Sequence, residues 1–382
     1  MKNADRIALT GRTLGAIGTA FLLMGVLASA YGPLLGLLTV RFGITLAVAG
    51  TVLSAHFAGG FLGVVASMAV LERIRARDFV ITALAVAALG CAVVAVSPSW
   101  IWLLTGVFLI GVSYGALDIG LNQLVAHSDS RRRVAALNAL NAAYGVGAVA
   151  GPLLVAAAGA GRISLVYLGG MALAVLTVPL ALGLAGRLPV ERAARVRGLD
   201  ILVVVFAAAF VVYVAVEAGV GGWMTSHLES LGFSTPAAAT YTSAFWLALA
   251  AGRLLVGLVP HSVDESGIVI VAAVAGTVGL AWAAFVPFAT PVAYVLTGLA
   301  IAPIFPTGIV WLARLRPRDS RATSWLFPTS MIGGAAGPAA IGLVVAQSGV
   351  GQAPQVLMVT AVLMVAGFAA AARLATVFRT PA

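Results

Sequence analysis

Two acidic side chains stand where only hydrocarbon-compatible residues surround them. The chain has twelve Asp and Glu residues; ten fall in polar breaks or at the ends of apolar runs, while Asp118 and Glu217 lie deep inside such runs. An ionisable group at the centre of a bilayer costs about 2.5–3.5 kcal/mol on insertion scales, so each of these needs a cavity, a partner or a task. Tyr114 precedes Asp118 by four residues and Asn122 follows it by four, which on a helix sets phenol, carboxylate and amide on one face. Tyr213 stands four residues before Glu217, and Gly219, Gly221 and Gly222 lead from there to Trp223. Glycines so placed allow a bent or unwound segment that opens backbone to a cavity. The chemistry predicted is capture of a polar solute or a proton, whose occupancy biases which way a cavity faces. Packing alone, through a hydrogen bond to a neighbouring helix, is the other reading of both acids.

Other polar residues in apolar surroundings are less specific. Asn138 and Asn141, spaced i,i+3, face either a cavity or a neighbouring helix. His56 is read as the one histidine at membrane depth; no His/Cys/Asp cluster accompanies it, so a hydrogen-bonded or cavity-lining imidazole is expected rather than a metal ligand. Trp246, Trp311 and Trp325 offer ring faces for stacking on a sugar or for anchoring at the interface, and Trp246 is the deepest of them. Pro303 and Pro306 break an apolar run just beyond Gly298, and Pro152 and Pro338 each follow a glycine, so bends are expected there.

The elements that must carry these residues follow from composition. The 382 residues are 62% hydrophobic and 9% charged, against about 25% charged in soluble domains, which excludes a soluble enzyme and predicts an all-α integral membrane protein. Twelve apolar runs are marked at 13–39, 47–71, 79–97, 99–126, 135–157, 163–185, 200–224, 237–259, 267–287, 291–313, 322–346 and 355–377. Loops on one side of this arrangement hold 20 of the 22 basic residues, Arg41 and Arg162 excepted, so both termini are expected to be cytoplasmic. The formal charge of +10 thus reads as topology rather than as nucleic-acid binding. A single cysteine, Cys91, excludes an intrachain disulfide. Ala28-Ser29-Ala30, after a basic stretch and an apolar run, imitates a signal-peptide cleavage site.

An internal repeat argues against that imitation. Gly147-Ala148-Val149-Ala150-Gly151-Pro152 aligns with Gly333-Gly334-Ala335-Ala336-Gly337-Pro338 at an offset of 186, and Ser54-Ala55 with Gly63 aligns with Ser243-Ala244 and Gly252 at 189. Runs two and five thereby pair with eight and eleven, which makes the first run the counterpart of the seventh. The expected organisation is a six-helix bundle over 1–186, a cytoplasmic linker over 187–199 and a second, pseudo-symmetric six-helix bundle over 200–382. Such a plan is that of the major facilitator transporters, whose solute site lies between the halves.

The residues also carry a closer resemblance. Gly115-Ala116-Leu117-Asp118-Ile119-Gly120-Leu121-Asn122, the stretch Asn138 to Leu154, and Tyr213, Glu217 and Trp223 in their spacing resemble the fucose-permease-like branch of the major facilitator superfamily. Tyr241 to Trp246, Gly252-Arg253 and Ala302-Pro303-Ile304-Phe305-Pro306-Thr307 are similar to it too. The resemblance implies that Asp118, Asn122, Glu217 and Trp223 face a central cavity, and that Gly252-Arg253 is a gate element at the cytoplasmic end of the eighth helix. It also implies proton-driven symport of a monosaccharide. Two departures stand out: Glu72-Arg73-Ile74-Arg75-Ala76-Arg77 keeps the acid and the basic residues of the family's gating loop but lacks its glycine, and Leu140-Asn141 stands where Leu-His is expected.

No nucleotide-cradling loop and no hydrolase or metalloprotease motif occurs. The function expected is alternating-access, proton-coupled symport of a small polar solute such as a sugar, without cofactor or metal, by a monomer in the inner (plasma) membrane of a bacterium. The alternative is a proton-antiporting exporter of amphipathic compounds or drugs.

Overall fold

The computed structural model describes residues 9–71, 73–126, 128, 133–184, 186, 200–258, 263–317, 323 and 325–379. Lys2, Arg6, Glu72, Arg131, Arg132, Arg318, Arg321 and the whole expected linker 187–199 lie outside these residues, as do the extreme termini on which the sidedness argument leans.

The chain is an all-α membrane protein of many spans. In order, the helices are α1 (Gly11–Ser29), α2 (Tyr31–Phe42), α3 (Leu46–Ala49), α4 (Thr51–Val70), α5 (Ala76–Val96), α6 (Trp100–Ala126), α7 (Arg133–Ala158), α8 (Ile163–Ala181), α9 (Ile201–Ser230), α10 (Thr235–Leu255), α11 (Glu265–Phe285), α12 (Thr290–Ile301), α13 (Ile304–Leu315), α14 (Leu326–Ser348) and α15 (Ala353–Arg379). Among the described residues, eleven helical stretches are long and apolar enough to cross a membrane, and α12 and α13 together count as one of them, Pro287–Leu315. α10 is not among the eleven; its threonines, Ser243, Tyr241 and Arg253 make it the most polar of the expected spans.

Helices dominate because a backbone in lipid must satisfy its own amides. Their ends are set locally. Thr10, Asp200, Ser234 and Asp264 cap α1, α9, α10 and α11 through side-chain oxygens, and Gly43 closes α2 at a φ of 63°. The first expected run is two helices rather than one. They meet at Ala30, where Ser29 Oγ bonds the Gly25 carbonyl at 2.9 Å, a back-bond that bends helices. Pro303 separates α12 from α13, and Pro306 sits in the first turn of α13, where a missing N–H costs nothing. α7 and α14 continue through Pro152 and Pro338.

The chain divides into two compact units, Met1–Thr45 with Thr51–Val190, and Leu46–Gly50 with Glu191–Ala382. In the first, α4 and α6 touch backbone to backbone: a Cβ on Gly63 would lie 2.1 Å from the Val112 carbonyl oxygen, and one on Gly111 would lie 2.0 Å from that of His56. α1 and α7 approach as closely, Gly147 against the Leu22 carbonyl at 2.2 Å. In the second unit the corresponding contacts recur. Gly252 faces Leu299, Gly298 faces the Phe245 carbonyl, and Gly333 lies 2.0 Å from the Val211 carbonyl by the same measure. Each partner is displaced by 186 to 189 residues from its counterpart, so the motif repeat is a repeat of contacts. Close approach of this kind, at small residues, is how helices associate in lipid.

At one end of the second unit, Arg316 bonds Asp200, the cap of α9, and Arg314 reaches Glu265 of α11 at 2.6 Å. The Arg316 guanidinium holds the Asp200 carboxyl below its ordinary range, outweighing desolvation.

Two outcomes test this packing. Leucine at Gly111 or Gly333 should destabilise the protein by about 1–3 kcal/mol or more, through overpacking against a carbonyl, in thermal unfolding in detergent. Asp200→Asn keeps the cap but loses the charge, and should cost under about 1 kcal/mol at neutral pH because the pair is partly exposed. The folded-state pKa of Asp200 lies below its unfolded value, so this contribution is full above about pH 4 and fades as pH falls through the folded value. The gap between wild type and Asp200→Asn should therefore close on acidification.

Candidate functional site

The second unit holds an ion pair within its helices. Glu217 is midway along α9 and Arg253 is in the last turn of α10. Arg253 Nη2 lies 3.0 Å from each carboxylate oxygen of Glu217 and donates to the Tyr213 hydroxyl at 3.4 Å, while that hydroxyl donates to Glu217 Oε2. Tyr213 is fully buried against Phe210 and Phe305, whereas the Glu217 and Arg253 side chains keep 16% and 25% exposure. The sequence places Tyr213 and Glu217 on one face. The structure adds Arg253, expected as a gate element, to the same cluster. Gly252 beside it is a packing position, filled by Ala302 and Leu299.

Chemically the trio has two states. An ionised Glu217 accepts from guanidinium and phenol together; a protonated one becomes a donor and gives up the charge-assisted bond from Arg253. The helix carrying it is unbroken from Ile201 to Ser230, contrary to the expected loosening at Gly219, Gly221 and Gly222. Neighbours occupy the space those glycines leave: Leu357 and Ile341 at Gly219, and the Trp246 ring at Gly221.

The first unit holds the second group. Asn122 Nδ2 donates to Asp118 Oδ1 at 3.0 Å and to the Asp118 carbonyl at 2.8 Å, with Tyr114, Asp118 and Asn122 all half-buried on α6. His56 of α4 is 1% exposed; its ring lies 5.0 Å from that of Tyr114, and its Nδ1 is 3.1 Å from the hydroxyl of Tyr31, the first residue of α2. His56 Nε2 is buried without a partner. Tyr31 was not singled out in the sequence, where nothing links it to His56.

The remaining expected residues are placed differently. Trp223 is fully buried, its indole N–H donating to the Pro338 carbonyl at 3.2 Å and its ring packed at Gly50 and Gly342, so it fills a packing position rather than an open wall. Asn138 and Asn141 are exposed, and Asn141 bonds its own helix at Leu137. Arg73 is exposed in the turn after α4. Trp311 is core, edge-on to Phe206 at 4.6 Å, and Trp325 is half exposed. His56 is not alone at depth: α9 runs six residues past the expected end at 224 and carries His227, buried and bonded to the Tyr294 hydroxyl at 3.0 Å. Among the described residues there is no group of three or more His, Cys, Asp or Glu able to hold a metal.

Residues 17–294 match the family model of the Major Facilitator Superfamily. The chain belongs to this superfamily. Its members are secondary transporters rather than enzymes, and this superfamily chain is one that moves a small solute across a lipid bilayer. Among solved superfamily structures it is similar to a D-xylose–proton symporter, with a TM-score of 0.79 at 13% identity over 94% of this chain and 96% of that one. A nucleoside transporter, NupG, superposes with a TM-score of 0.74 at 14% identity over 94% and 100%. The E. coli fucose:proton symporter FucP gives 0.64 at 17% over 94% and 98%. No curated protein sequence matches the chain significantly.

If the ion pair is as tight as its geometry, Arg253→Met should destabilise by about 1.5–3 kcal/mol, the loss of hydrogen bonds to a charge. Adding Glu217→Gln should restore part of that loss, because the stranded carboxylate is removed. Strictly additive losses in a double-mutant cycle, read by thermal unfolding, would mean the two side chains do not interact.

Proposed function

We propose that the chain is a proton-coupled symporter of a small polar solute of monosaccharide size, working by alternating access as a monomer in a bacterial plasma membrane. In this reading it has twelve spans in two six-helix bundles, 1–186 and 200–382, joined by a cytoplasmic linker, with both termini cytoplasmic, and it sits in the fucose-permease-like branch. The observation that carries the proposal is the Glu217–Arg253–Tyr213 cluster: a carboxylate at mid-helix whose proton would undo a bond between two helices. A site of that kind makes proton occupancy and helix arrangement one equilibrium, which is what coupling requires. Asp118, held by Asn122 on α6, is the second candidate proton group, with Tyr114 and His56 beside it. The repeated helix contacts support the two-bundle plan. Sugar–proton symport by two structural relatives agrees with the proposal, though their likeness to this chain is one of fold.

Purified protein in proteoliposomes should accumulate a monosaccharide, tested with D-xylose and L-fucose, at least several-fold more when the outside is made acidic. Glu217→Gln and Asp118→Asn should abolish gradient-driven accumulation while sparing exchange of labelled for unlabelled sugar. Uptake indifferent to the gradient for every sugar tried would falsify the proposal, and gradient-driven expulsion of dyes would replace it with the exporter.

A further inference from the structure

α9 and α10 are antiparallel neighbours whose contacts advance along one as they retreat along the other. Arg253 reaches Glu217, the Trp246 ring lies on Gly221, and Thr242 bonds Thr225 at 2.8 Å. With Thr225 and Thr242 facing each other, one step along either helix turns the next side chain by about 100°. The helices run oppositely, so the two turns mirror one another and Ser226 and Ser243 emerge on the same side of the pair. Trp246 follows Ser243 by three residues and shares its face.

All three are buried, at 4%, 4% and 7% exposure. Yet the hydroxyls of Ser226 and Ser243 and the indole N–H of Trp246 have no hydrogen-bond partner. Other buried helical serines bond to a backbone carbonyl, Ser29 to Gly25, Ser67 to Gly63 and Ser330 to Leu326 on their own helices and Ser113 to Ala83 on α5. These two do not, and a buried donor left unmade carries its full desolvation cost. The indole only donates, while each hydroxyl gives and takes. The basic groups of these helices are engaged, Arg253 by Glu217 and His227 by a hydrogen bond with Tyr294, and the nearby carboxylate, Glu229, accepts from Thr235, so an anion finds no cation here. Gly221 seats the indole, since a Cβ there would lie 2.5 Å from Cζ2.

The geometry points to a binding site for a neutral, polyhydroxylated solute, whose oxygens accept from Trp246 Nε1 and exchange hydrogen bonds with Ser226 and Ser243. This rests on the transport reading above and names the side chains that select its solute.

The test is equilibrium binding to the full chain in lipid nanodiscs, with no gradient, using D-xylose, D-glucose and myo-inositol as neutral probes and D-xylonate as the anion. At least one neutral probe should bind, about tenfold or more tighter than xylonate. The double variant Ser226→Ala/Ser243→Ala, and separately Trp246→Phe and Gly221→Ala, should each weaken it about tenfold. The serine variant should also melt no lower than wild type without ligand, because it removes unpartnered polar atoms; serines with a structural role would lower the melting temperature. Absence of binding by every neutral probe, equal binding of xylonate, or unchanged affinity in the variants overturns the site. Because no proton gradient enters the measurement, a protein that binds through these residues but transports without regard to pH keeps this site and loses the coupling.

Discussion

In hydrocarbon an amide has no water to fall back on, and the first demand on this chain is that every span bond to itself. Once that is met, helices gain little from apolar contact, since lipid is as apolar as leucine, and association depends on how near two backbones can come. That constraint explains where glycine is spent. Gly63 and Gly111 bring α4 onto α6, Gly147 brings α7 onto α1, and Gly252, Gly298 and Gly333 do the same in the second unit. A side chain at any of them would meet a carbonyl or a packed methyl, so the functional side chains keep their places because these seams are closed.

The packing repeats between the two units but the chemistry does not. The position equivalent to His56 is Phe245, and by the offsets of the same contacts the position equivalent to Asp118 is Phe305, which here packs on Tyr213. The first unit places its carboxylate on α6 with an amide for company; the second places its own on α9 and sets an arginine against it from α10. One scaffold therefore holds two unlike polar centres. Different partners for the two carboxylates are thus available within a single fold, an asymmetry that a strict duplication would not provide.

Much of this was legible in the residues because helical periodicity is a local rule. The Asp118–Asn122 contact and the Tyr213–Glu217 pair both follow from a spacing of four, and the break at Pro303 follows from the imino ring. What sequence could not carry was register between helices. Arg253 is 36 residues from Glu217, and only the alignment of α9 with α10 brings them together. The expected run stops at 224 for a related reason: Thr225, Ser226 and His227 are too polar for an apolar span until Thr242 and Tyr294 supply partners to two of them. Glycines in α9 suggest a point of weakness in sequence, whereas neighbouring side chains fill the space at Gly219 and Gly221. Ser226 and Ser243 carry no signal in sequence, because a helical serine that bonds its own backbone and one that does not are written with the same letter.

The ion pair between α9 and α10 has an electrical side. With its glutamate ionised the trio of Glu217, Arg253 and Tyr213 sums to zero, and a neutral cluster does no work when it shifts within the field across a membrane. In the proton-coupled function proposed above, a protonated Glu217 would give the trio one net positive charge, on which a potential of 100 mV acts with about 2.3 kcal/mol across the full field. On that proposal the step that loosens α9 from α10 is also the one on which the membrane potential acts, whereas the ionised trio shifts without electrical work.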